Sequence, residues 1–186
     1  KYIAGDLLGH GVYWHSIEPR GSTVQTTHGG ELLVANDSWF APTDVTMGPD
    51  GAIYVTDWND ARTAHPDPDA DWDRSNGRIY RIASKGTKSA APIDFAKLSN
   101  EELIKFHRHP SQWYVRHARQ ELIRRFSGTE KSSKGSEIIG LCQSFVETAL
   151  AAPDEIAALE ALWTLNVLGG FDQSLGMQLL DSPHPA

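Results

Sequence analysis

The chain of 186 residues is short of cysteine, of long apolar runs and of basic charge. Its single cysteine, Cys142, excludes a disulfide framework, a cysteine-rich zinc site and a CxxCH haem attachment within these residues. No apolar run reaches the ~18 residues of a membrane span, and residues 1–30 do not have the layout of a signal peptide. With 17 Lys and Arg against 24 Asp and Glu, the chain is not a generally basic nucleic-acid binder.

The composition divides the chain into two halves. Residues 1–85 hold 9 of the 16 glycines and 4 of the 6 tryptophans, as is typical of strands and turns, whereas the remainder has the 3.6-residue periodicity of helices. Residues 97–134 carry 9 basic and 4 acidic residues, and residues 135–186 carry 7 acidic residues and no Lys or Arg. We predict a β domain over residues 1–85, a linker over 86–97 and a helical domain over 98–186.

A strand pattern recurs in the β domain. The segment at Tyr2–Asp6 is similar to Ala52–Asp57, and Gly11–Trp14 is similar to Gly77–Tyr80. The first spacing, from Asp6 to Asp57, is 51 residues, close to the length of a propeller blade of four antiparallel strands. Strands are predicted over 43–47, 52–56 and 77–83. We therefore predict a partial β-propeller, its last one to two blades, with a small antiparallel sheet or sandwich as the alternative.

Helix signals follow the linker. Ser99 and Glu102 have the spacing of a capping box, and Gly169–Gly170 marks the end of a later helix. Pro110, Pro153 and Pro185 each stand where a helix begins, at spacings near the period of HEAT repeats. We predict a truncated HEAT-like α-solenoid over residues 98–186, with a four-helix bundle as the alternative. Apolar positions of these helices are predicted to form the core, among them Phe145 and Trp163.

The loops of the β domain hold most of its chemistry-bearing side chains. In a propeller the loops 39–44 and 57–76 would share one mouth of the channel, and the second is unusually long for a strand connection. The ligand-binding candidates at this face are Asp6, Asp44, Asp57, Asn59, Asp73 and Asn76. Asp44, Asp57 and His65 are the catalytic candidates. Turn or cap hydrogen bonding is the alternative role of these aspartates.

Three aspartates in the long loop alternate in the manner of a calcium loop. Asp67, Asp69 and Asp71 could supply carboxylate oxygens to a hard cation. The EF-hand pattern fails, because Trp72 stands where Gly is needed and Arg78 where a bidentate Glu is needed. A calcium site of another kind and a solvated acidic loop are the two alternatives.

Several segments resemble one known family. Residues 39–45, 48–58 and 77–81 resemble the end of a sugar-dehydrogenase-like propeller, and residues 109–119 and 161–165 resemble the repeats that follow it. The chain is similar to the bacterial membrane-bound dehydrogenase family, also called planctomycete-type haem-binding CxxCH proteins. In that family a propeller related to the glucose and sorbosone dehydrogenases precedes HEAT-like repeats, and the chain is expected to be an internal fragment.

The resemblance implies a periplasmic or other extracytoplasmic location, with membrane association as one option, and an oxidoreductase that acts on a sugar or alcohol. Its electrons would pass to a c-type haem module outside this chain, with calcium or a quinone as further candidate cofactors. The fragment alone is expected to be inactive. The alternative is a non-catalytic protein that holds carbohydrate or protein partners, the latter on the helical surface. Neither prediction includes nucleic acid or a membrane span within these residues.

Overall fold

A computed structural model of the chain describes residues 1–20, 23–61, 75–129, 132–152 and 154–180. The chain divides into two compact units, Lys1–Ala90 and Ala91–Ala186. The strands that the structure describes lie in the first unit, and the helices lie in the second.

The first sheet contains three antiparallel strands in the order β1-β2-β3, which are Tyr2–Asp6, Gly11–Arg20 and Thr23–Val34. β2 and β3 form a long hairpin, and β1 covers only the start of β2. Two irregularities interrupt the register of the hairpin. Trp14 pairs with Gly30 while His15 pairs with His28, so Gly29 is an extra residue on β3.

The second sheet contains β4 (Pro42–Met47), β5 (Ile53–Asp57) and β6 (Arg78–Ile82), again antiparallel and in chain order. The β4–β5 connection is the tight turn that the sequence indicates. The Gly51 amide donates to the Gly48 carbonyl at 3.1 Å, and Gly51 has a φ of 75°, a conformation that favours glycine. Asp50 in this turn forms an ion pair with Arg81, and that hydrogen bond lowers the pKa of Asp50.

The two sheets of the first unit meet at β1 and β4. The backbone of Gly5 lies so close to Pro42 that a Cβ on Gly5 would come within 3.0 Å of the proline. Val12, Phe40 and Val55 are fully buried and form the centre of the small core between the strands. The edge of the Phe40 ring contacts Tyr80, with 5.4 Å between the ring centroids.

The second unit contains five helices in its described residues: α1 (Asn100–Lys105), α2 (Gln112–Phe126), α3 (Ser133–Ala151), α4 (Glu155–Val167) and α5 (Gln173–Leu180). Short 3-10 helices at Phe95–Lys97 and Phe106–Arg108 flank α1, the first of them inside the predicted linker. The core is formed mainly by α1 to α4 and includes Leu103, Leu122, Ile138, Val146 and Leu165.

Side-chain caps and a glycine stop define several helix ends. The Ser99 side chain accepts from the Glu102 amide, and the Glu102 carboxylate accepts from the Ser99 amide, which confirms the capping box. Asp154 caps α4 by accepting from the Ala157 amide. Gly169 has a φ of 72° after α4, in agreement with the stop signal at Gly169–Gly170.

The predicted fold class, a partial propeller followed by a HEAT-like solenoid, is wrong. A propeller blade has four antiparallel strands, whereas the described residues form two sheets of three strands and no closed blade. The strand Thr23–Val34, which was not predicted, extends β2 into a hairpin. The helical part of the described chain has five helices, of 6, 15, 19, 13 and 8 residues. The order of β structure followed by α structure is present.

One core prediction in the helical unit is also wrong. Phe145 is buried, but the side chain of Trp163 on α4 is 48% exposed. The buried residues of α4 are instead Ala157, Ala158, Glu160, Ala161, Thr164 and Leu165, and the helix packs mainly against α3.

Candidate functional site

An open cleft of about 350 Å³ lies on one face of the first sheet. Its lining includes one carboxylate, one phenol and two imidazoles, from Asp6, Tyr13, His15 and His28. The ring centroids of His15 and His28 are 5.2 Å apart, and those of Tyr13 and His28 are 5.7 Å apart. We call these four residues the β-sheet cleft.

The strand register explains why these side chains share a face. Side chains alternate along a strand, so Tyr13 and His15 on β2 point to the same side of the sheet. Directly opposite residues of an antiparallel pair also share a side, and His15 pairs with His28 on β3. Across the other pair, Asp6 stands opposite Gly11 at the end of β1. The cleft thus requires all three strands.

Two glycines give the polar groups of the cleft their positions. The Asp6 carboxylate accepts from the Gly9 amide at 2.8 Å, and a Cβ on Gly9 would come within 2.3 Å of that carboxylate. The Tyr13 hydroxyl lies over Gly11, where a Cβ would come within 2.8 Å of it. Because neither glycine has a side chain, the carboxylate and the phenol can lie against the backbone.

The bulge on β3 is shaped by Trp14, which points to the face opposite to Tyr13 and His15. A Cβ on Gly29 would come within 2.4 Å of the Trp14 ring, so the extra residue must be glycine for the ring to cover it. The Lys1 ammonium lies 4.6 Å from the centroid of the same ring. The bulge restores His28 to the position opposite His15.

A second polar group lies where β5 ends. The buried Asp57 accepts through Oδ1 from the Ala41 amide at 3.0 Å and from the Asn59 amide at 2.9 Å. Its Oδ2 is buried and has no hydrogen-bond partner. Asn59 and Asp60 are buried beside it, and Asn59 has a φ of 50°. The Asp57 carboxylate therefore links, by hydrogen bonds, the residue before β4 and the loop after β5.

The predicted ligand-binding residues fall into different places. Asp57 and Asn59 lie together, and Asn76 precedes Gly77, where a Cβ would come within 3.2 Å of the Asp57 carbonyl oxygen. Asp44 is exposed, and its Oδ1 accepts from the Val45 amide. Asp6 belongs to the β-sheet cleft. Each of Asp6, Asp44 and Asp57 makes a turn or local backbone hydrogen bond, the alternative role that the sequence left open.

The remaining candidates lie outside the described residues. They are His65, Asp67, Asp69, Asp71 and Asp73, and with them the predicted calcium loop. Within the part of the chain that the structure describes, no three His, Cys, Asp or Glu side chains group closely enough to hold a metal ion. Residues 1–186 do not fit a c-type haem either, since attachment requires two cysteines and Cys142 is the sole one. Cys142 is buried in α3, and burial raises the pKa of its thiol to about 12.

The helical unit contains a buried polar network. His107 bonds through Nδ1 to the Ile104 carbonyl and through Nε2 to the Thr164 hydroxyl, both at 2.7 Å. Arg119 donates to the same hydroxyl at 2.9 Å and pairs with the buried Glu160. The network connects α2, α4 and the 3-10 helix after α1, and its groups satisfy one another. We therefore assign it a structural role.

Sequence reasoning missed three of the four residues of the β-sheet cleft, Tyr13, His15 and His28. Positions 13 and 15 have the alternation of one strand face, which was a usable signal. His28 can be placed opposite His15 only after β3 has been predicted. The pair Gly29–Gly30 in the middle of β3 hides the strand pattern.

Comparison with known protein families places the first unit beside one of them. Residues 1–86 match the model of a protein family described as a domain of unknown function (DUF7133). No curated protein and no solved structure matches the chain. The DUF7133 match covers both sheets and the β-sheet cleft, and its description carries no activity. Among the described helices, none is both long enough and apolar enough to cross a membrane.

Proposed function

We propose that the β-sheet cleft binds a small polyhydroxylated molecule, a sugar or an alcohol. The observation that carries this proposal is the convergence of Asp6, Tyr13, His15 and His28 on one open cleft. Its volume of about 350 Å³ is at the lower end of the range of about 300–1,000 Å³ that is usual for small-molecule sites.

The side chains of the cleft suit hydroxyl groups. The Asp6 carboxylate has acceptor capacity beyond its bond to the Gly9 amide, and sugar hydroxyls are donors. A neutral imidazole has one donor and one acceptor nitrogen, so His15 and His28 can each donate a hydrogen bond to a hydroxyl group or accept one from it. The Tyr13 ring adds an apolar face for the C–H groups of a sugar and a hydroxyl at its edge.

The reaction we propose at this site is oxidation of the bound alcohol to a carbonyl compound. The chain's resemblance to the membrane-bound dehydrogenases supports this part of the proposal. Asp6 or His15 would accept the proton of the reacting hydroxyl, because general bases of this kind must lie within hydrogen-bond reach of that proton. The hydrogen on the carbon would leave with both electrons as a hydride equivalent to a two-electron acceptor, for which a quinone is the candidate that the resemblance offers. The electrons would then pass one at a time to a c-type haem outside residues 1–186, in an extracytoplasmic compartment.

The first test is binding. The whole chain is titrated with a panel of monosaccharides and polyols in a calorimeter. At least one of these compounds should show saturable binding. Asp6→Asn keeps an oxygen for the Gly9 amide but removes the charge, and should weaken binding about tenfold, since a hydrogen bond to a charged group contributes about 1.5–3 kcal/mol. His15→Gln should weaken it as well. Glu18→Gln, on the exposed end of β2, is the matched control and should change nothing.

The outcomes separate the two functions. Absence of binding by the wild type, or binding that Asp6→Asn and His15→Gln leave intact, would overturn the assignment of the cleft. Reduction of an artificial dye acceptor by the ligand-bound protein supports the dehydrogenase. Binding without dye reduction in the complete protein, which includes any haem module, would instead favour a non-catalytic carbohydrate-binding protein, the alternative that the sequence left open.

A further inference from the structure

Two histidines of the first sheet stand side by side with their ring nitrogens unused. His15 on β2 is half-buried and His28 on β3 is exposed. Neither imidazole forms a hydrogen bond within the described chain. The other histidines of the described chain each form one through a ring nitrogen, and they are His10, His107, His109 and His117. The lone pairs of His15 and His28 are therefore available to a ligand.

The separation of the two rings matches that of two imidazoles bound to one tetrahedral metal ion. A Zn–N bond of about 2.0–2.1 Å places the ion about 3.2 Å from each ring centre, and the tetrahedral angle then sets the two centres about 5.2 Å apart. The ring centroids of His15 and His28 are 5.2 Å apart. A square-planar ion with adjacent ligands at a right angle would require a shorter separation of about 4.5 Å. The distance therefore favours a tetrahedral ion.

The bulge of β3 creates this pair. Trp14 pairs with Gly30, so a regular register would place Gly29 opposite His15 and would turn His28 to the other face of the sheet. The extra residue moves His28 back to the position opposite His15. Bulges are over-represented beside functional sites, where they re-aim a side chain. The local irregularity of the strand thus brings two metal-ligating side chains together.

The charges on this face favour a cation. Opposite residues of an antiparallel pair share a side, so the face of Tyr13 and His15 also contains Asp6 at the end of β1 and Glu31 opposite Tyr13. Glu31 is exposed and forms no ion pair in the described chain. The strand register places no Lys or Arg among the paired residues of this face from Gly11 to Pro19 or among their partners. An anion would therefore meet only carboxylates here, whereas a cation is attracted.

We propose that His15 and His28 bind a zinc ion, whose two remaining coordination positions are open to water or to oxygen ligands. Imidazole is a usual ligand of zinc, and the ring separation selects tetrahedral zinc over tetragonal copper or nickel. Zinc sites with three or four protein ligands hold the ion tightly. With two, the ion exchanges with solvent. The proposal shares His15 and His28 with the proposed sugar site but does not rest on it, because zinc binding is measured without a sugar.

The test begins with the metal alone. The whole chain, freed of metal with a chelator that is then removed, is titrated with zinc chloride in a calorimeter, and wild-type protein should bind zinc saturably. Cobalt(II) takes the place of zinc in such sites and reports their geometry. Tetrahedral cobalt gives intense visible absorption bands, whereas octahedral cobalt gives only weak ones. The cobalt-loaded wild type should show the intense bands.

Variants locate the ion. His15→Gln and His28→Gln each remove one of the two protein ligands, and each should weaken zinc binding at least about tenfold and abolish the intense cobalt bands. His117→Gln is the matched control, since His117 is a half-buried histidine of the helical unit, and it should change neither signal.

Asp6→Asn separates this proposal from the proposed function. Asp6 pairs with Gly11, which lies four residues from His15 and thus about 13 Å away along β2. The variant should weaken sugar binding and leave zinc binding unchanged. Sugar binding without zinc binding would overturn the zinc site alone, and zinc binding without sugar binding would overturn the proposed function alone.

Three further results would overturn the zinc site. The first is a wild-type chain whose cobalt spectrum is octahedral. The second is zinc binding that both His15→Gln and His28→Gln leave intact, which would place the ion elsewhere in the chain. The third is zinc binding that His117→Gln weakens as much as His15→Gln does, which would show that single exposed imidazoles bind the ion independently.

Discussion

At the scale of single residues, His107 has a tautomer that its neighbours determine. The Ile104 carbonyl can only accept, so Nδ1 of His107 carries the hydrogen. Burial lowers the pKa of His107, with the nearby Arg119 acting in the same direction, and the ring is therefore neutral at pH 7. Nε2 must then accept from the Thr164 hydroxyl, whose one hydrogen is no longer available to the Glu160 carbonyl 3.0 Å away.

Thr164→Val tests this arrangement. The substitution keeps the shape of the side chain but removes the partner of His107 Nε2 and of Arg119 Nε. Buried polar groups left without a partner cost about 1–3 kcal/mol, so the free energy of unfolding should fall by that amount in urea titrations. Thr148→Val is the matched control, an exposed threonine on α3 whose hydroxyl bonds to the Ser144 carbonyl, and should cost less than about 0.5 kcal/mol.

At the scale of secondary-structure elements, the chain's local signals were reliable where a short motif carries the information. The capping box at Ser99 and Glu102 needs four consecutive residues, and the Gly48–Gly51 turn needs as many. β3 has no such motif: it lacks a regular apolar and polar alternation, and the Gly29–Gly30 pair in its middle is unfavourable in a strand. Pairing with β2 over its whole length overrides that weak preference.

Ser99→Ala measures the contribution of the capping box. Loss of the side-chain acceptor leaves the Glu102 amide without its cap, and the free energy of unfolding should fall by about 1 kcal/mol. Ser136→Ala removes an exposed serine hydroxyl within α3 and serves as the control with a smaller effect. Equal melting temperatures for the Ser99→Ala variant and the wild type would show that the cap contributes nothing.

The orientation of α4 could not be predicted, because the helix is apolar on almost every side. Its sequence alternates alanines with larger residues, and periodicity alone identifies either side as the core. The side packed on α3 is the one with Ala157, Ala158 and Ala161, whose small side chains permit a close approach. The larger side chains Trp163 and Ile156 remain outside.

At the scale of the whole molecule, two buried groups make stability depend on pH in separate windows. The pKa of His107 is lowered from its ordinary 6.5, so the unfolded chain binds the proton more readily and stability falls as the pH drops below about 6.5. Hydrogen bonds from Arg124 and then Arg125 lower the pKa of Glu121 from 4.5 to about 2. The ionised Glu121 therefore adds its full share to the free energy of unfolding above pH 4.5. That share is lost as the pH falls from about 4.5 to about 2.

Unfolding by urea at pH values from about 7 to about 3 should therefore show a decline in two steps. Glu121→Gln removes the carboxylate and should flatten the lower step while leaving the upper one unchanged. His107→Gln should do the reverse. A decline with the same profile in all three proteins would show that other groups control the acid sensitivity.

The sequence predicted the β-then-α order and most element positions, but not the fold class or the cleft. The repeat of Tyr2–Asp6 and Ala52–Asp57 reflects a real similarity, since each segment is a strand in an antiparallel pair. A spacing near 50 residues does not by itself give the number of strands in each sheet, and the long hairpin of β2 and β3 accounts for much of it. Three of the four cleft residues lie on β2 and β3, so missing one strand removed the site.

The free edge of β3 has a consequence for how chains behave at high concentration. Among the described strands, β3 pairs with β2 alone, which leaves a row of backbone amides and carbonyls along a twelve-residue strand. An edge of that length is a template for intermolecular sheet growth and aggregation. The irregularities that leave Gly29 and Leu32 without partners interrupt the row, so a neighbouring chain would find no long regular register to extend. The same bulge that aligns His28 with His15 therefore also protects the protein from joining its own copies edge to edge.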